Sequence, residues 1–219
     1  ILAAQTCLYL GTREDGPDAR VVVGCLLTAA AVLTKGPFGL AFPLLSCVLF
    51  LVWEGRARRL LRRDFARGGL LLLGILAAWA LGAWLIEGAA YMDNIFNKQI
   101  YQRALRSWHH DQPWWHYLAT LPLVWLPWTL LLLFAPWKRV LRTEHLARLF
   151  AARREADGAA FLWIAFLSQL VLLSVVQTKI VIYALPLFAP GAILAARALL
   201  ALPQETARRF FGLSACVMG

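Results

Sequence analysis

Residues Leu33-Thr34-Lys35-Gly36-Pro37 separate two apolar runs, 19–34 and 38–53, and leave one lysine at the break between them. Outward from there, the pattern returns near the other end of the chain. Thr178-Lys179, with Tyr183 and Leu185-Pro186 behind it, joins apolar residues 160–177 to apolar residues 180–200. Runs of this kind cross a bilayer as helices, so each lysine sits where lipid gives way to water. Neither has an acid close by in sequence, and a cation held at a membrane surface calls for an anionic partner.

Of 219 residues, 61% are hydrophobic and 16% charged, and the mean hydropathy is +0.64, outside the range of soluble domains. The pattern predicts an all-α, polytopic transmembrane helix bundle forming a single transmembrane domain over residues 1–219. Its expected spans are the tail of one at 1–10, then 19–34, 38–53, 69–86, 117–135, 160–177 and 180–200, with the start of another at 209–219. Residues 19–34 are short in strictly apolar positions, so a re-entrant segment is the alternative there. Ile1 and Gly219 both lie inside apolar runs, and the chain reads as cut from something longer. Cys7, Cys25, Cys47 and Cys216 are far apart in apolar segments with no Cys-x-x-Cys pair, which predicts buried thiols rather than metal or redox chemistry.

A formal charge of +10 would suggest nucleic acid in a soluble protein; here the bilayer explains it. All but five of the 22 basic residues fall in alternate loops, 11–20, 54–68, 136–159 and 197–209, which the positive-inside rule makes cytoplasmic. Arg58, Arg59, Arg62 and Arg63 in loop 54–68 suggest one face of an amphipathic helix on anionic inner-leaflet lipid. The five exceptions, Lys35, Lys98, Arg103, Arg106 and Lys179, all fall in the connections that must face outward.

The outer segment 87–116 is too polar to cross a membrane and too aromatic for a disordered loop. Tyr91, Ile95, Phe96, Ile100 and Leu105 give it an apolar stripe near helical spacing, so an amphipathic helix along the outer surface is expected. Asn97, Gln99, Tyr101 and Arg103 offer polar heads. Trp114, Trp115, Trp125, Trp128 and Trp137 suit an interfacial belt. His109 and His110, with Asp111 and His116, make a small cluster that is either hydrogen-bonded or able to ligate a divalent cation. Lys179 and Tyr183, four apart, would share one helical face, on a helix kinked by Pro186 and Pro190.

These residues, in order and approximate spacing, resemble a known family. Leu33 to Pro37, Gln99 to Arg103, His109-His110-Asp111-Gln112-Pro113-Trp114-Trp115, Leu126-Pro127-Trp128, and Thr178-Lys179 with Tyr183 to Pro186 are similar to the motifs of polyprenyl-phosphate-dependent membrane glycosyltransferases. These are GT-C class enzymes of the family 39 type, which include the lipid A aminoarabinose transferases and the protein O-mannosyltransferases. The resemblance covers residues 20 to 195 approximately.

It implies transfer of a sugar from undecaprenyl, decaprenyl or dolichyl phosphate to a glycolipid, polysaccharide or protein acceptor, with inversion, at the outward face of a bacterial inner membrane. It also implies that Lys35, Lys179 and Arg103 contact the donor phosphate, that Tyr183 donates a hydrogen bond to it, and that a divalent cation could be held by His109 or His110. The general base of the family is an acid upstream of this chain, and no catalytic role is carried onto Glu87, Asp93 or Asp111. Two rivals remain from the residues alone. One is a transporter or channel component binding an anion at an outer vestibule, which would need polar residues facing each other within the spans, where only Thr28, Ser46, Ser168, Gln169 and Ser174 are on offer. The other is a structural subunit without a ligand.

Overall fold

In the computed structural model, residues 1–13, 16–95, 97, 112–135, 158–176 and 179–219 are described. They are helical, with no strand among them. In chain order the helices are α1 (Leu2–Arg13), α2 (Ala19–Lys35), α3 (Pro37–Trp53), α4 (Arg63–Glu87), α5 (Ala89–Asp93), α6 (His116–Val124), α7 (Trp128–Phe134), α8 (Gly158–Val175), α9 (Leu185–Leu200) and α10 (Gln204–Met218). A 3-10 turn, Ala57–Leu61, precedes α4, and another, Val181–Ala184, precedes α9.

Three stretches are long and apolar enough to cross a membrane: α4, α8, and Val181–Leu200. The span expected at 117–135 is not one straight helix. α6 and α7 are bent by 107°. Pro122 lies inside α6 and Pro127 heads α7, so both ends of the break lack backbone donors, and the Thr129 hydroxyl donates to the Pro122 carbonyl. α2 and α3, at 17 residues each, are about 25 Å long, against a hydrocarbon core of about 30 Å.

Aromatic and apolar contacts fix the direction of the helices. Phe50 of α3 meets Tyr9 of α1 and Phe161 of α8 at ring separations of 5.5 and 5.3 Å. At the other end of the same helices, Phe42 clusters with Leu173 of α8, Tyr117 and Leu121 of α6, and Ala184 and Leu187. Thus α8 runs antiparallel to α3. A second cluster, built on Leu8, Val21, Cys25, Ala29, Cys47, Leu51 and Leu72, joins α1 to α4. The outer faces of α4, including Leu70, Leu73, Leu81, Leu85 and Ile86, are exposed, as lipid-facing positions should be. Cys25 and Cys47 are buried, but Cys7 is only half-buried and Cys216 is exposed, so the expectation of four buried thiols holds for two.

The inner end departs from the sequence reading of loop 54–68. There is no amphipathic helix carrying its arginines together. Arg59 turns inward, its side chain 2% exposed, pairing with Asp64 at 3.4 Å. Its Nη2 donates to the carbonyls of Gly11 and Gly16 at 2.7 and 2.9 Å. Asp64 also accepts the backbone N–H groups of Asp18 and Phe65. This polar knot ties loop 11–18 to the start of α4. Arg56, Arg58, Arg59 and Arg62 line an open cavity of about 220 Å³ beside it.

Removing one partner from a buried pair costs about 3 to 5 kcal/mol. Asp64→Ala is therefore expected to lower stability by that amount in denaturation of the detergent-solubilised protein; a loss under about 1 kcal/mol, the level of exposed ion pairs, would mean the knot is peripheral. Glu54, which caps α3, is buried, and burial pushes its carboxyl above the usual 4.5, with Arg56, 3.6 Å away, opposing. A raised folded-state pKa gives stability that is complete below 4.5 and lost as pH rises through the folded value. Wild type should accordingly lose stability relative to Glu54→Gln as pH is raised from 4.5, and parallel melting curves would contradict this.

Candidate functional site

One end of the bundle, the end expected to face outward, brings together the two lysine stretches that lie far apart in sequence. Lys35 is the last residue of α2 and is exposed. Gly36 follows with φ 65 and ψ −147, a conformation reserved for glycine, and Pro37 starts α3 where its missing N–H costs nothing. The chain can then double back tightly. A β-carbon on Gly39 would stand 2.2 Å from the Ala31 carbonyl oxygen, so this glycine lets the two helix backbones touch. One residue beyond Pro37, the Phe38 ring lies 5.2 Å from the ring of Tyr183. This contact joins the Lys35 turn to the Lys179 segment.

Lys179 and Tyr183 are not on one helical face. Ile180 between them is extended, at φ −125 and ψ 128, and Tyr183 belongs to the 3-10 turn that precedes α9. Pro186 falls in the first turn of α9, where it initiates rather than kinks; Pro190 alone lies inside the helix. Lys179 is buried, and its Nζ donates to the Val176 carbonyl at 2.7 Å, at the C-terminal end of α8 where a cation also meets the negative end of the helix dipole. Neither lysine has an ion pair among the described residues, and one of the three donors of the Lys179 ammonium is engaged there.

Tyr117 holds this break in place. Its hydroxyl donates to the Ile180 carbonyl at 3.0 Å and accepts the Ile180 N–H at 3.1 Å. Neither Tyr117 nor Phe38 stands out in sequence. The available signal for Tyr117 was a phenol within an apolar span, which needs a hydrogen-bond partner. Trp125, expected in the interfacial belt, instead packs inward on Phe166, Phe188 and the backbone of Gly191, whereas Trp114, Trp115 and Trp128 are exposed.

Arg103, His109, His110 and Asp111, with residues 96, 98–111 and 136–157 as a whole, lie outside the described residues. Among those described, no three His, Cys, Asp or Glu side chains gather as a metal site. Three of the hydroxyls on offer donate within their own helices, Thr28 to Gly24, Ser46 to Phe42 and Ser168 to Ala165, and Ser46 also accepts the Gln5 amide of α1.

The described residues form a multi-pass helical bundle of the kind that crosses a membrane. No family model matches the chain. It is 31% identical over 222 residues to the undecaprenyl phosphate-alpha-4-amino-4-deoxy-L-arabinose arabinosyl transferase of Aeromonas salmonicida, covering 99% of this chain and 38% of that protein. Transferases of the same name from Erwinia tasmaniensis and Pseudomonas aeruginosa are each 30% identical over 202 residues, 89% and 91% of this chain and 34% of theirs. The crystal structure of ArnT from Cupriavidus metallidurans bound to undecaprenyl phosphate superposes over 99% of this chain and 38% of that one, with a TM-score of 0.70 at 21% identity.

The chain is similar along nearly its whole length to these arabinosyl transferases, and it spans well under half the length of the relatives it matches.

A side chain at Gly36 meets no neighbour within 4 Å, so its penalty is conformational alone. Gly36→Ala should cost about 1 to 3 kcal/mol, read as a lower melting temperature, and an unchanged one would show that the turn relaxes freely.

Proposed function

We propose that the protein to which this chain belongs transfers a sugar from a polyprenyl-phosphate donor to a lipid acceptor at the outward face of a bacterial inner membrane. The observation that carries the reading is the convergence of the Lys35 turn and the Lys179 segment at one end of the bundle, through Phe38 and Tyr183, with no carboxylate paired to either lysine among the described residues. Sequence similarity along nearly the whole chain to transferases named for undecaprenyl phosphate-aminoarabinose supports an undecaprenyl-linked aminopentose as the donor class and a lipid A-like glycolipid as the acceptor.

Transfer breaks the bond between the anomeric carbon and the phosphate oxygen. An acceptor oxygen forms the new bond from the opposite face, and its proton passes to the base that the family resemblance assigns upstream. Negative charge grows on the leaving phosphate as the bond breaks. Lys35 and Lys179, with Arg103, would stabilise that charge, and Tyr183 would donate a hydrogen bond to it, which is worth most where water is scarce. His109 and His110 are the imidazoles that would hold a divalent cation, which would supply further positive charge; the stabilisation by the lysines, arginine and tyrosine does not depend on it.

The test uses membranes containing the full-length protein and a radiolabelled polyprenyl-phosphate sugar. Lys35→Ala and Lys179→Ala, at matched expression, should each cost about 1.5 to 3 kcal/mol in donor binding and transfer, as expected for a charge-assisted contact. Unchanged donor binding in both variants would reduce these lysines to interface anchors.

A further inference from the structure

We propose that Tyr117 is a positioning residue that acts through Lys179, setting where its ammonium meets the donor phosphate. The inference rests on the reading of Lys179 as a phosphate ligand and adds to it the element that fixes the lysine.

α8 ends at Val175, and the next turn begins at Val181. Within this break Ile180 is extended, so its N–H has no helical ladder to join and its carbonyl meets only the first bond of the 3-10 turn that follows. Such groups at membrane depth need partners from elsewhere. Tyr117, on a different helix 63 residues away in sequence, satisfies both with one hydroxyl, donating to the carbonyl and accepting the N–H. The Ile180 carbonyl also accepts the Tyr183 N–H at 2.9 Å. Ile180 is therefore the shared anchor of the segments carrying Lys179 and Tyr183.

The anchor is rigid because the Tyr117 ring is. It is 1% exposed and packed among Phe42, Leu121, Leu173, Ala184 and Leu187, drawn from α3, α6, α8, the second 3-10 turn and α9. The Ile180 nitrogen it holds is one peptide bond from Lys179. The Lys179 ammonium, by contrast, is held only by the Val176 carbonyl among the described residues. A phosphate ligand on an irregular segment stays in register only if its backbone is fixed, and an error of about 1 Å is costly in such a site. Tyrosine is well suited to this position, because it fills the cluster as phenylalanine would and its hydroxyl both donates and accepts.

Tyr117→Phe keeps the ring and deletes both bonds. In full-length protein it should raise the KM for the polyprenyl-phosphate sugar about fivefold to thirtyfold, the range for one or two lost hydrogen bonds. Leu51→Ala, buried in the other apolar cluster and away from Tyr117, should cost stability and leave that KM within about twofold of wild type. The deciding measurement is the double variant. If Tyr117 works through Lys179, Tyr117→Phe adds little in a Lys179→Ala background, because the residue it positions is gone.

Multiplying effects, or a Tyr117→Phe KM equal to wild type while Lys179→Ala is impaired, would overturn the inference and leave the phosphate reading standing. An unimpaired Lys179→Ala would overturn both. Should Tyr117→Phe fail to accumulate, hydrogen exchange at the Ile180 amide of wild type takes over: slow exchange supports the clamp, and exchange at the rate of an open chain overturns it.

Discussion

The close approach of α2 and α3 is the constraint on which the outer site depends. Gly39 lies against the Ala31 carbonyl with no room for a β-carbon, and Gly36 makes the turn that brings it there. In lipid, helix association gains little from the hydrophobic effect and relies on close backbone packing. A side chain at either glycine would open the hairpin or move its tip. Lys35 and Phe38 would move with it, and Phe38 is the contact that links the tip to Tyr183.

The inner end is solved with opposite chemistry. There the loops are held by the Arg59–Asp64 pair and the carbonyls of Gly11 and Gly16. Backbone carbonyls absorb donors that a lone ion pair would leave unsatisfied, which offsets part of the desolvation cost of burying two charges. Both ends thus meet the same demand. Where helices stop, exposed backbone groups must be answered, by a phenol at Ile180 outside and by a guanidinium at Gly11 and Gly16 inside.

Much of the fold was legible because apolar run length is a direct consequence of bilayer thickness. The bundle, the placement of the Lys35 and Lys179 stretches at one end of it and the likeness to polyprenyl-phosphate transferases all follow from run boundaries and ordered motifs. What was not legible were departures from helical periodicity. The i, i+4 spacing of Lys179 and Tyr183 suggested a shared face, but a β-branched residue, Ile180, takes an extended conformation there and breaks the face. Arg59 likewise looked like its neighbours because composition cannot distinguish a guanidinium facing lipid phosphate from one facing carbonyls within the chain. The bend between α6 and α7 was written in Pro122 and Pro127, but apolar length outweighed it in the reading of a single span.

The lysines sit at helix breaks for a physical reason. Within a regular transmembrane helix every carbonyl is paired, and a lysine there can only reach toward the interface. At a break, carbonyls such as that of Val176 are left over and can hold an ammonium without cancelling its charge. On the proposed reading of Lys179 as a phosphate ligand, a carboxylate in place of that carbonyl would pair with the lysine and neutralise the site before the donor arrived. A carbonyl is a weaker partner, able to hold the cation near the bilayer surface and to yield part of its hold to an anion. This favours a site in which the fixed element is the backbone around Lys179 and the exchangeable element is the ligand on its ammonium.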